Sequence, residues 1–195
     1  MGRKSLVPLR QREIIKAFYK VAQKEGLENA SIAKVAAVLE VNPSLVMHYF
    51  KSRHDLLHGL IEFIMERYRL IYPENGSDPE KRIRSIISSL FSRKWGKLFD
   101  DGVFYSGYAM VFRDEKIKEH YKALHDQLRD LLAGALKEAR DKKVLRVEDV
   151  NKSADLIFIF VEGAYYYLSM VKDKSEYQTR LAHYEKSVLQ YLGLN

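Results

Sequence analysis

The chain of 195 residues reads as all-α on three observations. Only four prolines and ten glycines interrupt it, the segments between them carry apolar side chains at helical spacing, and no alternating strand pattern persists. With 47% hydrophobic and 30% charged residues it has the composition of a globular chain that can bury a substantial core, as one compact domain or two small ones.

The first helix has a buried face made of Ile14, Ala17, Phe18, Val21 and Ala22, and Gly26 is placed to end it in the left-handed conformation. Ser31 is an N-cap for a second helix through Val35, Ala36 and Leu39. A short turn at Glu40 and Val41 leads to the most informative stretch, residues 42–53. There Asn42 can cap free amides and Pro43 suits N1, where no donor is missed, so a short helix starts at Asn42. It ends quickly, because Ser52 and Asp55 form a capping box for the next helix, which carries Leu56, Leu57, Leu60, Ile61 and Ile64 on its apolar face. Two helices joined by so short a turn have helix-turn-helix spacing, and the three N-terminal helices are expected to share one core.

Charge points the same way. Residues 1–55 hold ten Lys/Arg against five Asp/Glu and so carry +5 of the formal +7. Phosphate neutralisation dominates nucleic-acid affinity, and a basic front predicts salt-sensitive binding to DNA. Arg3, Lys4, Arg10 and Arg12 would add an arm or first-helix contacts. By chemistry, Tyr49, Lys51, Arg53 and Ser31 are the phosphate anchors, whereas Pro43, Ser44, Leu45 and His48 are candidates for base edges beside the cap Asn42. Val46 is the residue expected to face the core, together with Phe50; Met47 is open between a DNA contact and core packing, with packing favoured.

Over residues 12–57 the chain resembles the N-terminal domain of the tetracycline-repressor (TetR) family of bacterial transcription regulators. The resemblance rests on Ile14-Ile15, Ala17, Gly26-Leu27, Ser31-Ile32, Val35-Ala36, Val41, the run His48-Tyr49-Phe50-Lys51, Arg53 and Leu56-Leu57. Three positions depart from the family pattern: Glu40 stands for the usual turn glycine, Ala22 for a frequent Phe, and Met47 for the usual recognition-helix Tyr. The resemblance implies a homodimer that binds a palindromic double-stranded DNA operator and is released by a small-molecule effector, with repression the expected output. It further implies that the helix over residues 53–71 links a DNA-binding domain, residues 1–55, to an effector-binding and dimerisation domain, residues 72–195.

The turn chemistry of residues 72–79, ending in an Asp78 cap with Pro79 at N1, marks that second domain. Its first helix shows Ile83, Ile86, Ile87, Leu90, Phe91, Trp95 and Leu98 on one face; Asp100, Asp101 and Gly102 break it; residues 103–112 form a short aromatic-rich helix. Ile117, Tyr121, Leu124, Leu128, Leu131 and Ala135 then trace a long helix stopping near Lys142. Residues 154–171 are apolar nearly all round, and Tyr177, Leu181, Tyr184, Val188 and Tyr191 form a seam on the last helix. A membrane span is the rival reading of residues 154–171, but Glu162 interrupts them and the apolar runs fall short of about twenty residues. With Gly163 allowing close approach and Tyr167 beside it, the resemblance implies that these last two helices pair with their copies in a four-helix interface.

The aromatic density of the second domain suggests a cavity for an apolar or amphipathic effector. Its candidate lining is Phe91, Trp95, Phe99, Tyr105, Tyr108, Phe112, Tyr121, His125, Phe158, Glu162 and Tyr166, although an aromatic stripe at helical spacing is more often core. A buried Glu162 among rings would favour a cationic amphiphile. His54-Asp-Leu-Leu-His58 mimics a zinc-protease motif, but no third ligand is identifiable and Asp55 is the better cap partner, so no metal and no cofactor are expected. No Gly-rich phosphate loop or nucleophile elbow occurs, and an enzyme is not expected. The alternatives are a helical protein-interaction module, or a helical enzyme using the aromatic cavity. There is no cysteine, so neither disulfides nor thiolate metal sites are expected. No apolar segment follows the basic start, so cytoplasm is the expected location.

Overall fold

The computed structural model describes residues 6–68, 78–92 and 100–194; Arg3, Lys4, Trp95, Leu98, Phe99 and most of the turn at 72–79 lie outside them. Among the described residues the elements are helical, with no strand. They are α1 (Leu6–Glu25), α2 (Ile32–Val38), α3 (Pro43–Tyr49), α4 (Arg53–Tyr68), α5 (Pro79–Leu90), α6 (Asp101–Ala109) with a 3-10 turn at Met110–Phe112, α7 (Glu115–Asp141), α8 (Val150–Leu168) and α9 (Lys174–Tyr191). No helix among them is long and apolar enough to cross a membrane.

The caps are as the residue types require. The Ser31 and Asn42 side chains accept from the amides of Lys34 and Ser44, and Asp78 from those of Glu80 and Lys81. At α4 the capping box closes in both directions: the Asp55 amide donates to Ser52 Oγ at 3.1 Å and the Ser52 amide to Asp55 Oδ2 at 3.0 Å. Asp100 is itself a cap, accepting from the Val103 amide, so Asp101 and Gly102 open α6 instead of merely breaking the chain. Likewise α8 starts at Val150 behind the Asp149 cap, earlier than its apolar run suggested.

The chain divides into two compact units, described here as residues 6–68 with 100–122, and residues 78–92 with 123–194. In the first, Ile14, Ala17, Phe18, Val21 and Ala22 of α1 pack with Val35, Ala36, Val46, Phe50, Leu56, Leu57 and Leu60, all below 10% exposed. Burial of each Val, Leu, Ile or Phe side chain among them contributes about 1.5–3 kcal/mol. Gly59 lets α4 come close to α1, since a Cβ there would stand 2.7 Å from Ile15 Cδ1. Residues 100–122, which the sequence division places in the second domain, share contacts with the N-terminal helices. Tyr19 of α1 shows why: its hydroxyl accepts the Asp100 amide at 2.7 Å.

In the second unit, Ile83, Ile86, Ile87, Leu90 and Phe91, Leu124, Leu128, Leu132, Leu136 and Ala139, and Ile157, Val161 and Leu168 are all buried. Leu131, expected on the packed face of α7, is 52% exposed. A straight helix of 3.6 residues per turn drifts from a strict alternation of fours and threes, so the buried row continues through Leu132, Ala135, Leu136 and Ala139. Tyr165 Oη donates to the Leu90 carbonyl at 2.7 Å, and Arg82 pairs with Glu138, tying α5 to α8 and α7.

The turn between α2 and α3 is a Schellman ending: the Val41 amide donates to the Ala36 carbonyl at 3.0 Å and the Glu40 amide to the Ala37 carbonyl at 3.2 Å. It requires a left-handed residue at position 40, and Glu40 adopts φ +55°. The departure from glycine therefore keeps the turn geometry at the cost of backbone strain of about 1–2 kcal/mol. Glycine removes that strain but is freer in the unfolded chain by about 0.4–1 kcal/mol. Glu40→Gly is expected to raise the stability to denaturant by about 0.5–1 kcal/mol, read as a higher urea midpoint at unchanged slope.

Candidate nucleic-acid interface

The candidate interface is α3 and the residues flanking it. Within α3 only Val46 is buried, at 0% exposure; it nails the helix to α1 and α2 and turns the rest outward. Asn42, Pro43, Ser44, Leu45, Met47, His48 and Lys51 are exposed and Tyr49 and Ser31 partly so. Met47, at 48% exposure, is not a core residue; the favoured packing reading is corrected, because Val46 and Phe50 already fill the inward positions. His48 and Tyr49 stack edge to face at 5.1 Å, and Lys51 Nζ reaches the His48 carbonyl at 3.5 Å, which keeps its charge beside the end of the helix. The exposed face thus mixes a helix N-terminus, hydroxyls, an imidazole and an ammonium group, the types that contact phosphates and base edges.

Arg53 has a role that the sequence reading missed. Its Nε donates to the Ala30 carbonyl at 2.8 Å and its Nη2 to the Leu27 carbonyl at 2.6 Å. These two carbonyls close the loop between α1 and α2, so the guanidinium staples the start of α4 to the head. An arginine two residues after the basic flank looks like a phosphate ligand from sequence alone, because nothing local marks carbonyls more than twenty residues away as its acceptors. Lys34, also unassigned by sequence, pairs with Glu25 at 2.6 Å and donates to the Asn29 carbonyl at 2.9 Å.

The effector candidates fall into both units. Tyr105, Tyr108, Phe112 and Tyr121 belong to the first, where Tyr108 and Tyr121 meet edge to face at 5.4 Å and Tyr121 is buried. Phe112 is 83% exposed in the 3-10 turn, a correction to its place in a cavity lining: the turn rotates it out of the α6 face. In the second unit Phe91 is buried, and the rings of His125 and Phe158 lie 5.2 Å apart. Burial pushes the His125 imidazole below its ordinary value. Glu162, one turn beyond Phe158, keeps part of its surface, yet burial pushes its carboxyl up to about 7. Tyr166 is corrected as well: at 60% exposure it stands on the outer face of α8. A groove of about 240 Å³ lies between α8 and α9, lined by Leu156, Ile157, Phe160, Ser187, Val188 and Tyr191, and none of the effector candidates lines it. Trp95 and Phe99 lie outside the described residues.

Of the interface candidates on α8 and α9, Gly163, Tyr167 and Tyr191 are exposed and Tyr177 and Tyr184 partly so. Leu181 and Val188 are 6% and 4% exposed, a correction: they already pack inside their own unit, because α9 spends that side of its seam on α5 and α8.

A three-helix head that turns one short, capped, basic-flanked helix outward defines a helix-turn-helix DNA-binding protein. The comparisons give the family. Residues 14–60 match the model described as bacterial regulatory proteins, tetR family, and residues 78–194 the model described as tetracyclin repressor-like, C-terminal domain. The chain belongs to the TetR family of transcriptional regulators. It is 28% identical over 157 residues to the nucleoid occlusion factor SlmA of Vibrio vulnificus strain YJ016, covering 76% of this chain and 78% of that one. It is 26% identical over 98 residues to the HTH-type transcriptional regulator BetI of Stenotrophomonas maltophilia, covering 47% and 48%. Among solved structures, a TetR transcription regulator from Haloarcula marismortui matches with a TM-score of 0.82 at 16% identity, over 94% of this chain and 96% of that one. A transcriptional regulator from Saccharomonospora viridis in complex with choline matches at 0.75 and 16%, over 96% and 97%.

The two roles open to Arg53 separate in stability. Arg53→Ala is expected to lower it by about 2–3 kcal/mol, since charged hydrogen bonds to two partly buried carbonyls are lost. Arg53→Lys should recover less than half, because one ammonium cannot fork to both acceptors. Chemical denaturation in the absence of DNA reads both values, and a parent-like Arg53→Ala would leave Arg53 as a phosphate anchor only.

Proposed function

We propose that the protein is a ligand-responsive repressor that binds a palindromic operator as a homodimer. The observation that carries the DNA half is the outward face of α3: Asn42, Pro43, Ser44, Leu45, Met47 and His48 are exposed around a single buried Val46. Tyr49, Lys51 and Ser31 position the head on phosphates, while Ser44, Leu45 and His48 face base edges in the major groove. Arg53 holds α4 to the head and contributes its remaining N–H groups to the same cationic flank.

The dimer half is supported by α8. Leu156, Ile159, Phe160, Tyr166, Tyr167 and Met170 are between 39% and 66% exposed and recur at three- and four-residue steps around Gly163, whose Cβ position meets nothing within 4 Å. So large an apolar stripe on one helix is what a partner helix covers. Tyr167, Tyr177, Tyr184 and Tyr191 border it, and two heads set about 34–36 Å apart would meet successive major grooves.

The effector is an apolar or amphipathic molecule with a cationic group, received near Phe91, His125, Phe158 and Glu162. The support is the carboxyl of Glu162, which burial pushes up to about 7, one helical turn from Phe158, whose ring meets that of His125; a cation bound there would gain charge pairing and could gain a ring face. The Saccharomonospora viridis regulator of like fold was solved with choline, a small cation. Release requires that the effector prefer the conformation unsuited to the operator.

Gel shifts with DNA upstream of the chain's own gene, in a salt series, test the reading surface. Lys51→Ala should weaken binding to every sequence and reduce the salt slope by about one, whereas Ser44→Ala should alter preference at one base step. Parent-like behaviour of both variants overturns the assignment of α3. For assembly, Ile159→Glu should convert the dimer to monomer in light scattering and weaken operator binding at least about tenfold; a parent that is itself monomeric overturns the dimer.

A further inference from the structure

The pair His54 and His58, set aside in the sequence for want of a third ligand, acquires one in the fold. The two imidazoles stand one turn apart on α4, with ring centroids 4.4 Å apart. Asp114, the residue before α7, turns its carboxylate toward both: Oδ2 bonds to His54 Nε2 and lies 3.6 Å from His58 Nε2. One ligand atom from each of the three residues falls within 4.8 Å of the others. Ligands held about 2.0–2.1 Å from a single ion stand about 3.3 Å apart in a tetrahedron, a spacing within reach of small ring rotations.

Two further features favour an ion there. His58 is 7% exposed, its Nδ1 has no hydrogen-bond partner, and the 3.6 Å to Asp114 is too long for a hydrogen bond from Nε2. Nε2 therefore faces Asp114 Oδ2 without hydrogen-bonding to it, and a cation placed between them would be bound by both. Asp114 is meanwhile oriented from behind: its Oδ1 accepts the Ile117 amide at 3.1 Å, which leaves Oδ2 for the histidines. Such support of a ligand by a second set of hydrogen bonds is typical of metal sites. Two imidazoles and one carboxylate suit zinc and its neighbours, and not the oxygen-seeking magnesium or calcium.

We propose that His54, His58 and Asp114 bind a divalent transition-metal ion of the zinc class, which ties α4 to the start of α7, and that occupation of this site changes operator affinity. The mechanical link is Arg53, the residue before His54, whose guanidinium is docked on Leu27 and Ala30 of the reading head. An ion that fixes the first turns of α4 against Asp114 thereby selects among placements of the head. The second half of the proposal rests on the DNA-binding reading; the first does not.

Equilibrium dialysis of the metal-free, full-length protein against zinc, without DNA, should give one ion per chain, and cobalt should give the visible absorption of a tetrahedral site. His54→Ala removes an exposed ring, and Asp114→Asn retains the cap acceptor for Ile117, so both variants should fold as the parent does by circular dichroism. Each should weaken zinc binding at least about tenfold, and zinc should raise the thermal midpoint of the parent more than that of either variant. Failure of the parent to bind one equivalent, or parent-like binding by both variants, overturns the site. Gel shifts with zinc and with a chelator then read the coupling: a change in operator affinity in the parent, lost in His54→Ala, supports it. Equal affinities with and without zinc overturn the regulatory half, while an absence of any specific operator binding counts against the DNA reading and leaves the dialysis result standing.

Discussion

The outward presentation of α3 depends on how firmly a seven-residue helix can be held, because a helix of two turns has little stability of its own. Here it is held at both ends and in the middle. Asn42 satisfies a first-turn amide, Val46 is sunk in the core, and the capping box of Ser52 and Asp55 starts the next helix four residues beyond Tyr49. The Arg53 fork then fixes that next helix to the carbonyls of Leu27 and Ala30. Without those anchors the exposed side chains of α3 would have no defined spacing to offer a groove.

The same anchors explain why the N-terminal unit extends beyond three helices. Because α4 is bound to the head at one end, residues that pack on α4 and α1, among them Tyr19 with Asp100 and His54 with Asp114, become part of one body with it. On the proposed reading, an ion bound between His54 and Asp114 would act on the helix that follows α3 without itself touching DNA. In the second unit the apolar surplus is on the outer side of α8, where Ile159 and Tyr166 are more exposed than their side chains favour. An uncovered stripe of that kind is a demand for a partner, and Gly163 in its middle offers the closest approach.

Much of the fold was legible in the sequence because it is written locally. Caps at Ser31, Asn42, Ser52 and Asp78 and the left-handed Gly26 need only neighbours within a few residues, and periodicity found the buried faces of α1, α4 and α5. The choice of Val46 over Leu45 as the buried residue of α3 followed from the same reasoning. Local rules faltered where a helix is long or where two faces compete. Leu131 left the packed row of α7 through helical drift, Leu181 and Val188 serve the protomer's own core, and Phe112 and Tyr166 point away from any interior.

What the sequence determined by itself was the helical class, the head with its turn and caps, and the residue types exposed on α3, since each follows from hydrogen bonds and periodicities spanning a few residues. Tertiary structure alone decided the roles that need partners distant along the chain. It made Arg53 a staple, brought Asp114 to two histidines some sixty residues before it, and tolerated a left-handed Glu40 where glycine would be easier. The physical reason is that a side chain's donors and charges are fixed by its type, whereas the acceptor or cation they meet is fixed only when packing brings remote segments together.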